Sequence, residues 1–131
     1  FSVTYAGNPV SKNNLRFSLC KTPSFGGWTH KDLKATDYTT TFAPGQKASF
    51  VIFLNRVYDI SREVITSTFV IRDANEQIVD ISSVSHEWSS MWYKNYCELD
   101  IPSIPTEPGS YTITVYFNGQ FATKQPFSIS D

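Results

Sequence analysis

The sequence has no run of basic residues, no apolar stretch near the roughly 20 residues needed to span a bilayer, and only two cysteines and two histidines. Each shortage removes a class of function. Eleven Lys and Arg stand against twelve Asp and Glu, for a formal net charge of −1. The positive footprint that nucleic acid or an anionic membrane surface requires is missing, so neither is an expected partner. The longest apolar run, "ASFVIFL", is the length of a strand, so no membrane insertion is expected. No CxxC, no HExxH, no Gly-rich phosphate loop and no calcium loop occurs. His30 in "THKD" and His86 in "HE" read as ordinary surface polar residues, and no family signature surrounds either cysteine. An enzyme is not expected, nor any cofactor or metal.

Aromatic residues, by contrast, are plentiful. Ten Phe, seven Tyr and three Trp among 131 residues, with 40% apolar and 18% charged, make a chain that folds rather than one that stays disordered. This length matches one domain, 1–131, which removes roughly two-thirds of its unfolded surface from water on folding. The chain begins at Phe1 with no charged start and apolar segment after it. It therefore reads as a processed form or an excised domain, and it is expected to belong to a larger secreted or cell-surface protein.

Strand signals dominate: short β-branched and aromatic runs recur, each bounded by Gly, Pro, Asn or Asp. "ASFVIFLNRVY" is apolar on both parities and is expected in the middle of a sheet. "EVITSTFVIRD" and "QIVDISS" flank "ANE" and form a hairpin. "SYTITVYF" and "QFATKQPFSIS" flank Asn118-Gly119, a dipeptide suited to a type I′ turn. Pro44-Gly45 and Pro108-Gly109 each precede a strand, and the Pro102, Pro105, Pro108 series is a connecting segment because proline cannot donate to a ladder. Residues 21–37, with a Gly pair and neither period, read as a long loop.

About nine such strands imply two packed antiparallel sheets: an all-β, immunoglobulin-like β-sandwich, with a jelly roll as the alternative. "EPGSYTITVYFNGQ" followed by "PFSIS" resembles the final hairpin of filamin-type and bacterial immunoglobulin-like modules, and "FAPGQKASFVIF" resembles their second turn and strand. In that resemblance Tyr111, Ile113, Val115 and Phe117 alternate inward. The chain differs from filamin repeats at "FATKQPF", where they have a longer Gly-Pro approach to the last strand. What the resemblance implies is a fold class, not a shared function.

Cys20 and Cys97 leave two alternatives, a disulfide closing a long loop or two separate thiols. Strand parity places Cys20 on the face opposite Leu15, Phe17 and Leu19, whereas Cys97 shares a face with Leu99 and Ile101.

The stretch "HEWSSMWYKNYC" carries the best functional clue. If it is extended, Trp88, Trp92 and Tyr96 share one parity, with rings about 13 Å apart and Ser90 and Lys94 between them, a row that suits stacking on sugar rings. The structural alternatives are aromatic cover for a flank of the sandwich, or a helical turn over 88–92 that brings Trp88 and Trp92 together. Trp28, beside a Gly pair in the 21–37 loop, is a further ligand candidate. The expectation is a non-catalytic extracellular module that binds carbohydrate through Trp28, Trp88, Trp92 and Tyr96. The alternative is a spacer or protein-binding domain working through a sheet edge or its end loops.

Overall fold

The structure is a computed structural model and describes residues 3–5, 8–10, 15–22, 38–54, 64–87, 92–93 and 96–131. Its strands are β1 (Val3–Tyr5), β2 (Asn8–Val10), β3 (Leu15–Lys21), β4 (Thr41–Phe42), β5 (Ala48–Leu54), β6 (Val64–Arg72), β7 (Ile78–Glu87), β8 (Trp92–Tyr93), β9 (Tyr96–Asp100), β10 (Gly109–Phe117) and β11 (Gln120–Ile129). Among the described residues there is no helix, and so none long and apolar enough to cross a membrane. β1 and β2 pair with each other. The other strands form a five-stranded sheet in the order β4-β11-β10-β6-β7 and a four-stranded sheet in the order β3-β5-β9-β8. Every ladder is antiparallel except the short one between β4 and β11. The chain is thus the all-β, two-sheet sandwich that its turn spacing predicts.

Alternation builds the core. Tyr111, Ile113, Val115 and Phe117 on β10 and Ile65, Phe69 and Ile71 on β6 turn inward, to meet Leu15, Leu19, Phe50, Ile52, Cys97 and Leu99 of the other sheet in one contiguous cluster. Phe17 on β3 bridges the layers: its ring centroid lies 5.9 Å from Phe50 and 5.9 Å from Phe117 of the facing sheet. Each fully buried Phe or Ile side chain contributes about 1.5–3 kcal/mol. β5 lies between β3 and β9, and both its parities are buried, as its two-sided apolar pattern requires.

Local chemistry sets the turns. Asn118 (φ 50°) and Gly119 (φ 80°) occupy the left-handed region and close the β10–β11 hairpin, where only Asn, Asp and Gly sit without strain. Asn118 also clamps β6: its amide donates to Thr66 O at 2.9 Å, and its Oδ1 accepts from Thr66 N at 2.8 Å. Pro44 and Gly45 are the central pair of a turn closed by Gln46 N donating to Ala43 O at 3.1 Å, with Gly45 at φ 80°. Between β6 and β7, the Asp73 carboxylate accepts from the amides of Asn75 and Gln77 at 2.9 and 3.0 Å, so the "ANE" hairpin is held by an Asx-type turn. Residues 101–108 carry no strand, as the proline series predicts. Of the loop expected over 21–37, Lys21 completes β3, and everything after Thr22 lies outside the described residues.

Candidate recognition surface

Trp28 and Trp88 lie outside the described residues, as does His30. Trp92 and Tyr96 are placed through their backbone on two different strands: Trp92 pairs with Cys97 and Tyr93 with Tyr96. The part of the extended row that joins Trp92 to Tyr96 is therefore corrected. The chain reverses between Tyr93 and Tyr96, so Trp92 and Tyr96 do not follow one another along a strand at a 13 Å spacing. Trp92 instead occupies the register position opposite Cys97, a residue of the sandwich core.

The disulfide alternative is corrected as well, since neither cysteine is bridged. β3 and β9 flank β5 on opposite sides, with Cys20 in register with Ser49 and Cys97 with Ile52. Two ladder spacings of about 4.8 Å already exceed the roughly 7 Å Cα separation that a disulfide tolerates, and the parities differ. Cys97 points into the core, where burial and the neighbouring Glu98 push its thiol pKa well above the ordinary value. Cys20, on the other face, donates to Ser49 O at 3.5 Å.

Little chemistry assembles elsewhere. Ser49 Oγ donates to Asp100 Oδ1 at 2.7 Å and lies 2.5 Å from Thr22 Oγ1, and His86, the one histidine among the described residues, stands on β7 of the opposite sheet. Among the described residues no three His, Cys, Asp or Glu side chains come together as a metal site. A cavity of about 330 Å³ at the end of the five-stranded sheet is lined by Arg72, Lys124, Asp73 and Glu76, among others. Its two cations are balanced by two acids, so it selects neither sign of charge.

The two outer faces differ sharply. On the four-stranded sheet, Cys20, Ser49 and Val51 point away from the core by register, yet all three are fully buried, so that face is covered. On the five-stranded sheet the outward residues form cross-strand rows, Ile81–Val70–Thr114–Lys124 and Ser83–Thr68–Tyr116–Phe121, in which Val70 and Thr114 at the centre are buried and the flanking residues are half-buried or exposed. Thr68 and Ser83 hydroxyls lie 3.2 Å apart, Thr66 and Ser85 hydroxyls 2.8 Å, and the Tyr116 and Phe121 rings meet edge to face at 6.4 Å. Hydroxyls that satisfy one another beside apolar rings make a face of low charge. Ile81 (57% exposed) and Phe121 (45%) stand out from it.

The four sheet edges differ as much. β4 and β8 are two residues long. β3 is covered: Thr39 N donates to Leu19 O at 3.3 Å, Tyr38 bridges to Cys20, and the Gln125 side chain donates to Phe17 O at 3.0 Å. β7 is ten residues long, with Ile78, Val79 and Ile81 all about half exposed, and it has neither proline nor lysine. Short length, cover, proline, lysine, bulges and inward-pointing charges are the usual protections of a sheet edge. Among the described residues β7 has none of the first four, and only its first residues carry the others, a register irregularity beside Val79 and the inward-facing Asp80.

Among the described residues, none pairs with the outer side of the β7 backbone. Thr66 directs its carbonyl at β10, through the bond from Asn118 N, so by alternation Ser67 directs its polar groups at Val84 on β7. Ser83 and Ser85, and Ile81 two residues earlier, then present N–H and C=O to the open side.

Sequence reasoning expected the β6–β7 hairpin but not this surface. The signal was present: neither parity of "IVDISSVSHE" is continuously apolar, because Asp80, Ser82 and His86 interrupt one and Ser83 and Ser85 the other. Such a strand cannot be central. No protein-family model matches the chain, and no curated protein resembles it at a significant level.

Proposed function

We propose that this chain is a non-catalytic recognition module of the immunoglobulin-like class, from a larger secreted or surface protein, that binds protein by adding a partner strand to β7 and covering the adjoining face. The immunoglobulin-like assignment is supported by topology. With β3, β5, β8 and β9 taken as strands A, B, D and E, and β4, β6, β7, β10 and β11 as A′, C, C′, F and G, the two orders are A-B-E-D and A′-G-F-C-C′. Tyr111, near the start of the F-type strand, donates its hydroxyl to Glu107 O at 2.7 Å, the bond of a tyrosine corner. Ile113 and Phe69 fill core positions where antibody domains carry the second cysteine and the tryptophan.

The single observation that carries the binding reading is the β7 edge, which no described residue covers, while the other three edges of the two larger sheets are short or covered. Main-chain hydrogen bonds to an added strand supply affinity there, and the exposed Ile81 and the Ser/Thr rows supply selectivity. The test is selection from a random-peptide display library on the immobilised domain, run beside a glycan array. Enriched extended sequences whose binding is lost in Ser83→Pro support the proposal. No selected peptide, with glycan binding that Ser83→Pro leaves intact, overturns it in favour of the carbohydrate surface at Trp28, Trp88, Trp92 and Tyr96.

A further inference from the structure

We infer that the occupant of the β7 edge is a second copy of this chain, paired β7 to β7 about a two-fold axis through Ser83, so that two five-stranded sheets become one continuous sheet. This rests on the reading of β7 as a recognition edge and names its partner. A two-fold axis perpendicular to the sheet keeps both cores on the same side, so residues that face each other must share parity. Pairing centred on Ser83 satisfies this: Ile81 faces the partner's Ser85, Ser82 its Val84, and Asp80 its His86.

Charge complementarity selects this register over its neighbours. Centring on Asp80 sets two carboxylates against each other, at a cost, and centring on Ser82 leaves Asp80 facing Val84 with no cation opposite. Only the Ser83 centre faces Asp80 with a cation-forming side chain, and symmetry makes that contact twice. Both groups stand ready: His86 is exposed, and Asp80 holds Ser103 Oγ through Oδ2 alone, leaving Oδ1 to accept from an imidazole. The same register spans most of β7, with the partner's Val79 opposite the Glu87 backbone at its limit, whereas centres nearer either end span less of it. At the axis, Ser83 meets itself with its N–H and C=O directed outward, which is the hydrogen-bonded arrangement of an antiparallel pair. The hydroxyl pairing along Thr66–Ser85 and Thr68–Ser83 leaves the outer face beside the axis without a charged side chain.

Sedimentation equilibrium across roughly micromolar to millimolar concentration tests this. The wild type is expected to dimerise. Ser83→Pro removes an outward N–H that no bond among the described residues uses, so it should raise the dimer dissociation constant by about tenfold or more, whereas Ser83→Ala, which likewise loses the Thr68 hydroxyl contact but keeps the N–H, should leave the dimer intact. Asp80→Arg and His86→Glu should each weaken the dimer, and the double variant should restore it, which only this register predicts. A dimer indifferent to Ser83→Pro, or single variants that the double does not rescue, overturns the inference. A wild type that stays monomeric overturns it too, and the display selection then separates the failures. A monomer that still selects Ser83-dependent peptides keeps the edge reading and loses self-pairing, and one that selects none loses both.

Discussion

The Tyr111 hydroxyl donates to the Glu107 carbonyl at 2.7 Å, four residues back along the chain, and its ring stacks on Phe127 with centroids 5.5 Å apart. One side chain thereby ties the proline-containing connection to the β10–β11 hairpin. Tyr111→Phe keeps the ring and removes the bond, leaving a carbonyl beside a largely buried side chain without its donor. A loss of about 1 kcal/mol is expected, seen as a lower midpoint in urea with an unchanged slope. An unchanged midpoint would show that solvent replaces the hydroxyl.

Gly119 holds φ 80° with open space where a Cβ would stand, so any cost of substitution is backbone strain alone. Gly119→Val is expected to destabilise by about 1 kcal/mol or more. Gly119→Asn should recover much of that loss, because Asn tolerates the left-handed region. Thermal melts of the two variants side by side separate conformation from packing.

Burial predicts opposite outcomes in the core and on the outer face of the five-stranded sheet. Phe50 is fully buried against Phe17, and Phe50→Ala should cost about 3–5 kcal/mol through lost burial and an unfilled cavity. Ile81 is 57% exposed, and Ile81→Ser should stay within about 0.5 kcal/mol of the wild type. A large loss at Ile81, measured by chemical unfolding of the monomer, would mean that the face is not open.

Ser67 Oγ and Ser82 Oγ are buried without a hydrogen-bond partner, both on the inner side of the β6–β7 pair. A buried hydroxyl that bonds to nothing has lost its hydration for no return. Ser67→Ala should therefore raise stability, by about 1 kcal/mol, with a corresponding rise in Tm. A fall would show that the hydroxyl is satisfied in solution.

Cys97 makes stability depend on alkaline pH. Burial raises its thiol pKa above the unfolded value of about 8.5, so the folded state holds the proton more tightly than the unfolded chain. The stabilisation is complete below that value and declines as pH rises from about 8.5 toward the folded pKa. Unfolding free energies measured at pH 7 and pH 10 should fall further for the wild type than for Cys97→Ala. An equal fall in both would remove the linkage.

Much of the architecture was legible from local physics. A type I′ turn needs positive φ at two successive residues, and Asn118-Gly119 provides them. A central strand must be apolar on both faces, and residues 48–54 are. The inward set Tyr111, Ile113, Val115 and Phe117 follows from a period of two. The placing of Trp92 and Tyr96 along one strand failed because parity assumes an unbroken strand, and no local pattern in the sequence marks that these two residues belong to paired strands.

Which edge stays open could be settled only in three dimensions. Edge cover depends on contacts between residues far apart in the chain, such as Gln125 on Phe17, and no periodicity records those. The fate of the cysteines was decided in the same way: their parities were readable, but whether their strands lay side by side depended on β5 inserting between them. Turn chemistry and alternation act over a few residues, so the sequence alone determined the strands, their hairpins and their core-facing residues. Strand order and edge exposure come from the closing of long loops and the packing of two sheets, and those only the tertiary structure decided.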